Sequence, residues 1–344
     1  MRSWKSIGKK QPEKIVRRDR PPGSARLLST ALVALAVALP DARAQGGYPN
    51  RPVRIVVPIP AGSGTDTVAR VIAQGLSERL GRQVVVENRP GAGTIIGNDI
   101  VAKAKPDGHT LLMNGAALTI SPAMYKNIPY DTLRDFVPVT VAVFTPNLMV
   151  VHPSVPVKSV QEMIALAKAR PGEIFYASGG NGTNSHLATA LFASMAQVRM
   201  VHVPYKGSMP GVIDLVAGNV AMAINSMSTV MPQVRAGKLR ALGVASARRV
   251  AAAPDIPTIA EAGVPGYESV QWSGLLAPAG TPQDIIARLY QETVAILRAL
   301  DIRERLAGDG SELVANSPEE FAVFIRAELV KWAAVVKSTG IAPE

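Results

Sequence analysis

The chain has 344 residues, 47% of them hydrophobic and 18% charged, with a formal net charge of +11 and no cysteine. That length suits two domains, the apolar share excludes a disordered chain, and disulfides, thiolate metal sites and cysteine nucleophiles are ruled out. The charge would suggest a nucleic-acid partner, but residues 1–44 hold ten Lys/Arg against three Asp/Glu, and the remainder has 27 against 23 with no basic block interleaved with aromatics, so none is expected.

The first segment has the three parts of an export signal. A basic stretch runs to Arg26, an apolar run follows from Leu27 to Leu39, and Ala42-Arg43-Ala44 forms a small-x-small site with cleavage expected before Gln45. Residues 1–44 are therefore assigned as a signal peptide and the mature chain to the periplasm. No later segment offers 18 uninterrupted apolar residues, because Pro138 and Pro146 break the best candidate.

From Tyr48 onward strand and helix patterns alternate. Val53–Pro60 reads as a buried strand, and a helix follows to Leu80 with Val68, Val71, Ile72, Leu76 and Leu80 on one face and Gly81 as its stop. Further strands are predicted at Gln83–Asn88, Thr110–Asn114, Leu148–Val151, Ile174–Ala177, Met200–Val203, Val220–Ile224 and Leu239–Ala245. Ser159 with Glu162, and Ser317 with Glu320, supply capping boxes, and Thr281-Pro282 opens another helix. Such alternation implies an α/β fold with largely parallel strands. No linker separates two domains, so the chain is expected to cross between them in the strand-like segments Leu148–Pro153 and Gln271–Pro278. The expected lobes are 48–148 plus 277–344, and 149–276.

Two glycine-rich loops share a physical design. Ala61-Gly62-Ser63-Gly64-Thr65-Asp66 and Ser178-Gly179-Gly180-Asn181-Gly182-Thr183-Asn184 each join a strand end to a helix start. Glycine permits close backbone approach, the first helical turn has unpaired N–H groups and a partial positive charge, and hydroxyls of Ser63, Thr65, Ser178 and Thr183 add donors. In open α/β sheets ligands sit beyond the carboxyl ends of strands, where both loops fall. One loop from each lobe could grip a carboxylate across a cleft. The competing reading is that both are tight turns with helix caps, and Asp66 in a first turn suits a cap better than a ligand contact.

Enzyme signatures fail. Gly91-Ala92-Gly93-Thr94-Ile95-Ile96-Gly97 lacks the dinucleotide spacing, no phosphate-binding G-x-x-x-x-G-K-[ST] occurs, and Ala61 replaces the outer glycine of a nucleophile elbow. His109, His152, His186 and His202 show no metal-ligand spacing, so neither metal nor cofactor is expected. His186 reads as a structural hydrogen-bonding residue at a helix start. Ser63 or Ser178 as a hydrolase nucleophile lacks a recognisable His/Asp pair.

Seven segments in order carry a resemblance: PIPAGSGTDTVAR from Pro58, ENRPGAGTIIG from Glu87, PDGHTLL from Pro106, VPYKG from Val203, GKLRALGV from Gly237, PDIPTIAEAGVPGY from Pro254 and WSGLLAPAGTP from Trp272. From Tyr48 to its end the chain resembles the extracytoplasmic receptors of tripartite tricarboxylate transporters, also called Bug proteins. The resemblance implies a type II periplasmic-binding-protein fold: two Rossmann-like lobes that close on a cleft. It implies a ligand carboxylate held by Gly62, Ser63, Gly64, Thr65, Asp66 and Thr67 in the first loop. In the second loop it implies Ser178, Gly179, Gly180, Asn181, Gly182 and Thr183, with His186 beside them. Side chains over Asn114–Ala117, including Gly115 and Ala116, and at Asn225 and Ser226 would line the cleft. The implied partners are a small carboxylate ligand and membrane permease subunits, the receptor acting as a monomer; the alternative is a sensor partner. Thr94, Ile95, His109 and Asn225 depart from common family residues, so no particular ligand is carried over.

Overall fold

The computed structural model describes residues 47–341 apart from 309. The export signal expected over residues 1–44 lies outside the described residues. Among the described residues ten strands occur: β1 (Val53–Val57), β2 (Val84–Asn88), β3 (Thr110–Gly115), β4 (Phe136–Val151), β5 (Phe175–Ser178), β6 (Val201–Pro204), β7 (Met222–Ser226), β8 (Arg240–Val244), β9 (Val270–Pro278) and β10 (Glu312–Leu313). Helices α1 (Gly64–Leu80), α2 (Ile95–Ala102), α3 (Ala117–Met124) and α4 (Val160–Ala169) alternate with the early strands. They are followed by α5 (Asn184–Met195), α6 (Ser208–Val216), α7 (Met227–Arg235), α8 (Gln283–Arg298), α9 (Leu300–Gly308) and α10 (Pro318–Thr339).

The strands form two sheet halves. β2, β1 and β3 pair in parallel, and so do β6, β5 and β7. β4 and β9 join the halves as long antiparallel strands, which corrects the expectation of a largely parallel arrangement. The prolines that break the apolar run do not break β4: a register shift falls between Pro138 and Thr140, where a missing N–H is tolerated. β4 pairs with β9 as far as Pro146 and with β7 from Asn147 onward. The passage from one half to the other is thus a single step of the chain.

Each half is covered on both faces, which explains the continuous apolar runs of its strands. Ile55, Val57, Leu111 and Met113 point toward α1 and α8, whereas Val56 and Leu112 point toward α3 and α10. In the other half Met149, Val151, Met222 and Ile224 face one core, and Leu148, Val150 and Ala223 the opposite one. These are two three-layer lobes of the periplasmic-binding type. Trp272 on β9 lies edge-on to Phe321 and Phe324, at 5.5 and 5.6 Å, and fixes the carboxyl-terminal helix to the first lobe.

Local signals explain the boundaries. α1 starts at Ser63, whose hydroxyl accepts the Asp66 N–H, and stops at Gly81 in the left-handed region. α10 begins with the full Ser317/Glu320 capping box. Pro282 sits one place earlier than expected, as the residue before α8 rather than its first helical residue.

Candidate functional site

A cavity of about 600 Å³ opens between the lobes. Its wall is built from strand-to-helix loops: Pro58–Thr65 after β1, Pro90–Thr94 after β2, Gly179–Asn181 with Thr183–Ser185 after β5, and Tyr205–Pro210 after β6. All follow the carboxyl ends of parallel strands, where helix N-termini and exposed strand ends meet. Asn225 and Ser226 at the end of β7 complete the second lobe's side, and Thr145, Asn147, Gln271 and Ser273 of the two connecting strands also line the space. Among the described residues no Asp or Glu lines it, and Lys206, exposed at its edge, is the one charged side chain that does.

The first loop is anchored from behind by a carboxylate. Asp66 is 2% exposed and accepts the Gly62 N–H at 2.9 Å, Arg70 Nε at 3.0 Å and Asn88 Nδ2 at 2.9 Å. Burial raises its pKa, but these hydrogen bonds and the guanidinium together outweigh burial and hold it below the usual carboxylate value. Asp66 therefore shapes the loop and does not line the cavity. Thr67 is not part of that wall either and lines a smaller hollow of about 230 Å³ that shares Gly62 and Gly64 with it.

The second loop is anchored by neutral groups. Ser178 Oγ accepts the Gly180 N–H at 3.1 Å and lies 2.6 Å from His202 Nε2. The Gly182 N–H donates to His186 Nδ1 at 3.3 Å, and the Gly179 N–H to Ser185 Oγ at 3.0 Å. The imidazoles of His186 and His202 stack at 3.9 Å, with Tyr176 stacked beyond at 5.0 Å. Burial, and secondarily the neighbouring His202, pushes His186 down to about 3; burial pushes His202 down to about 4. Both rings are thus neutral at ordinary pH. The Ser178–His202 contact is not a catalytic dyad, because Ser178 is 1% exposed and lies outside the cavity wall.

The glycine N–H groups expected to face a ligand are largely turned inward, since Gly62, Gly179, Gly180 and Gly182 all donate within their own loops. The groups left over belong to the helices. In α1 the third helical N–H is capped by Ser63, and in α5 by Thr183. Among the described residues no acceptor meets the first two N–H groups of either helix, those of Gly64 and Thr65 and of Asn184 and Ser185. All four residues line the cavity. Two helix N-termini, one from each lobe, present matched donor pairs to one space.

Of the residues singled out in the sequence, the cavity wall includes Gly62, Ser63, Gly64, Thr65, Asn114, Ala117, Gly179, Gly180, Asn181, Thr183, Asn225 and Ser226. Gly115 is pressed against β9, where a Cβ would come within 2.2 Å of the Trp272 carbonyl oxygen, and Ala116 is in the core. Ser178, Gly182 and His186 lie behind the second loop. Sequence reasoning missed the loop at Pro90–Thr94, set aside as a failed dinucleotide motif; its position after a strand and before a helix was the available signal. It also missed Asn184 and the four polar residues on β4 and β9, which follow no motif.

The description "Tripartite tricarboxylate transporter family receptor" matches residues 68–341. Protein BugT of Bordetella pertussis is 40% identical over 295 residues, spanning 85% of this chain and 90% of that protein. The structure of Rhodopseudomonas palustris Rpa4515 with adipate has 39% identity and a TM-score of 0.83, covering 87% of this chain and 100% of that one. MatC from Rhodopseudomonas palustris, with bound malate, has 32% identity and a TM-score of 0.80, covering 84% and 100%. Receptors of this family are periplasmic. This chain belongs to the tripartite tricarboxylate transporter receptor family, and it is a solute-binding protein rather than an enzyme.

Proposed function

We propose that the protein captures a small carboxylate-bearing solute between its lobes and delivers it to membrane permease subunits of a tripartite transporter. The observation that carries the reading is the convergence of two helix N-termini on a cavity without acidic side chains. Their four uncommitted N–H groups and partial positive charge favour an anion. The adipate and malate held by the two structural relatives are acids of the size that a cavity of about 600 Å³ admits. The lobes move against each other about the chain crossings at Pro146/Asn147 and Ser269/Val270 rather than at the bounds 148/149 and 276/277 expected from the sequence, with the mature chain released after residue 44 and acting as a monomer.

Calorimetric titration with adipate, malate, glutamate and benzoate tests capture. At least one acid is expected to bind with a single site and no turnover. Binding of neutral or cationic compounds with none of the acids would refute the reading. Delivery is tested separately: deletion is expected to abolish uptake of the bound acid, and unaltered uptake with altered gene induction would assign the receptor to a sensor instead.

A further inference from the structure

A buried side chain on the cavity wall holds a donor that has no partner among the described residues. Asn184, the first residue of α5, is 7% exposed and lines the cavity, and its Nδ2 has no hydrogen-bond partner. The orientation of this amide is fixed by its neighbour. Asn147 Nδ2 donates to the Ser269 backbone carbonyl at 3.0 Å, and a carbonyl can only accept. The same nitrogen lies 2.6 Å from Asn184, so the Asn184 atom facing it must be the acceptor Oδ1. That leaves the Asn184 NH₂, itself buried, with both hydrogens uncommitted in a residue of the cavity wall. An amide donor left buried and unpaired is unfavourable, a cost relieved when an acceptor arrives.

The location gives this donor a second role. Asn147 is the first residue of β4 on the second lobe's side of the crossing, and Ser269 directly precedes β9, the other connecting strand. Asn184 is therefore joined through one side chain to both strands that link the lobes.

We propose that Asn184 Nδ2 is a ligand-binding donor, positioned by Asn147, that takes an oxygen acceptor of the bound acid beyond those held by the helix N–H groups. The ligand class is an acid bearing two separated oxygen functions, a dicarboxylate or a hydroxy or oxo acid. Asn184 touches the solute; Asn147 acts through Asn184 and is a positioning residue. The inference rests on the reading of the cavity as an acid-binding site.

Adipate and malate are the probes. Wild type, Asn184→Ala, Asn147→Ala, the double variant and Asn184→Asp are titrated calorimetrically, with thermal melting as the check on folding. Asn184→Asp retains the oxygen that Asn147 needs and puts a carboxylate in the helix's first turn, so its melting is expected to match wild type. The stronger acid is expected to bind Asn184→Ala at least tenfold more weakly than wild type, and Asn184→Asp more weakly still. Asn147→Ala is expected to lose affinity too, and the double variant to lose no more than Asn184→Ala alone, because both changes remove one interaction. Asn184→Ala binding within threefold of wild type would overturn the proposal, as would losses that multiply in the double variant. If wild type binds none of adipate, malate, glutamate and benzoate, the acid reading falls and this inference falls with it; if it binds benzoate but none of the other three, this inference fails alone. If wild type binds and the Asn184 variants do so equally well, this inference fails alone.

Discussion

The two glycine loops have the same place in their lobes and opposite chemistry behind them. The first is tied down by an ionised carboxylate, Asp66, which collects a backbone N–H, a guanidinium and an amide. The second is tied down by hydroxyls and two neutral imidazoles. Both supports lead to one outcome, a helix start with two N–H groups left over. The glycines serve the shape of the turn, and the helices supply the donors.

The largest expected effect separates the loops by backbone space. Gly180 has φ +119° and a Cβ there would lie 2.9 Å from the Tyr205 carbonyl oxygen, whereas Gly62 has φ +81° with open space around it. Gly180→Val should therefore weaken acid binding more than a hundredfold, since strain and a backbone clash combine. Gly62→Val meets only the strain of the left-handed region, about 1–3 kcal/mol, and should lose roughly ten- to a hundredfold. Equal losses would break the distinction.

Next comes the anchor itself. Asp66→Asn discards the charge that three donors share, and hydrogen bonds to charged groups contribute about 1.5–3 kcal/mol each. Unfolding in urea should show a loss of about 2 kcal/mol, with acid affinity down about tenfold. A variant as stable as wild type would mean that the charge is idle.

Acid should reach the supports in order. Below pH 6.5 the unfolded chain protonates His186 and His202, but the folded protein resists until about 4 for His202 and about 3 for His186. Stability is therefore full above pH 6.5 and falls as pH drops toward 4 and then 3. The Asp66 contribution has the depressed-carboxylate sign: it is present above the ordinary value of 3.8 and is lost only as pH falls through its lower folded value. Chemical denaturation from pH 7 to pH 4 should show the slope, and His202→Gln should reduce it. An unchanged slope in that variant would contradict the assignment to the imidazole pair.

The smallest effect concerns Lys206, exposed at the edge of the cavity. Lys206→Ala should slow association about threefold at low salt and leave dissociation unchanged, as a steering charge does. A change in dissociation rate would make it a direct contact.

Much of the frame was legible because it rests on local rules. Ser63 and Gly81 bound α1, Ser317 and Glu320 open α10, and the strand-end loops announce the site by their glycines. What was not legible depends on the far side of a contact. Gly115 fits the cleft motif but is pressed on β9, and the N–H groups of Gly62 and Gly179 are consumed by Asp66 and Ser185. Asn147 and Asn184 are 37 residues apart and meet only because the chain crosses between lobes beside α5. No spacing rule encodes that meeting.

The central claim is that one acid is shared by two helix starts, and a crystal structure of the protein with its bound acid tests it most directly. A carboxylate oxygen should lie within about 3 Å of the Gly64 or Thr65 nitrogen and another acid oxygen equally near Asn184 or Ser185. An acid found paired with Lys206 at the rim, with those four N–H groups on water, would contradict the account.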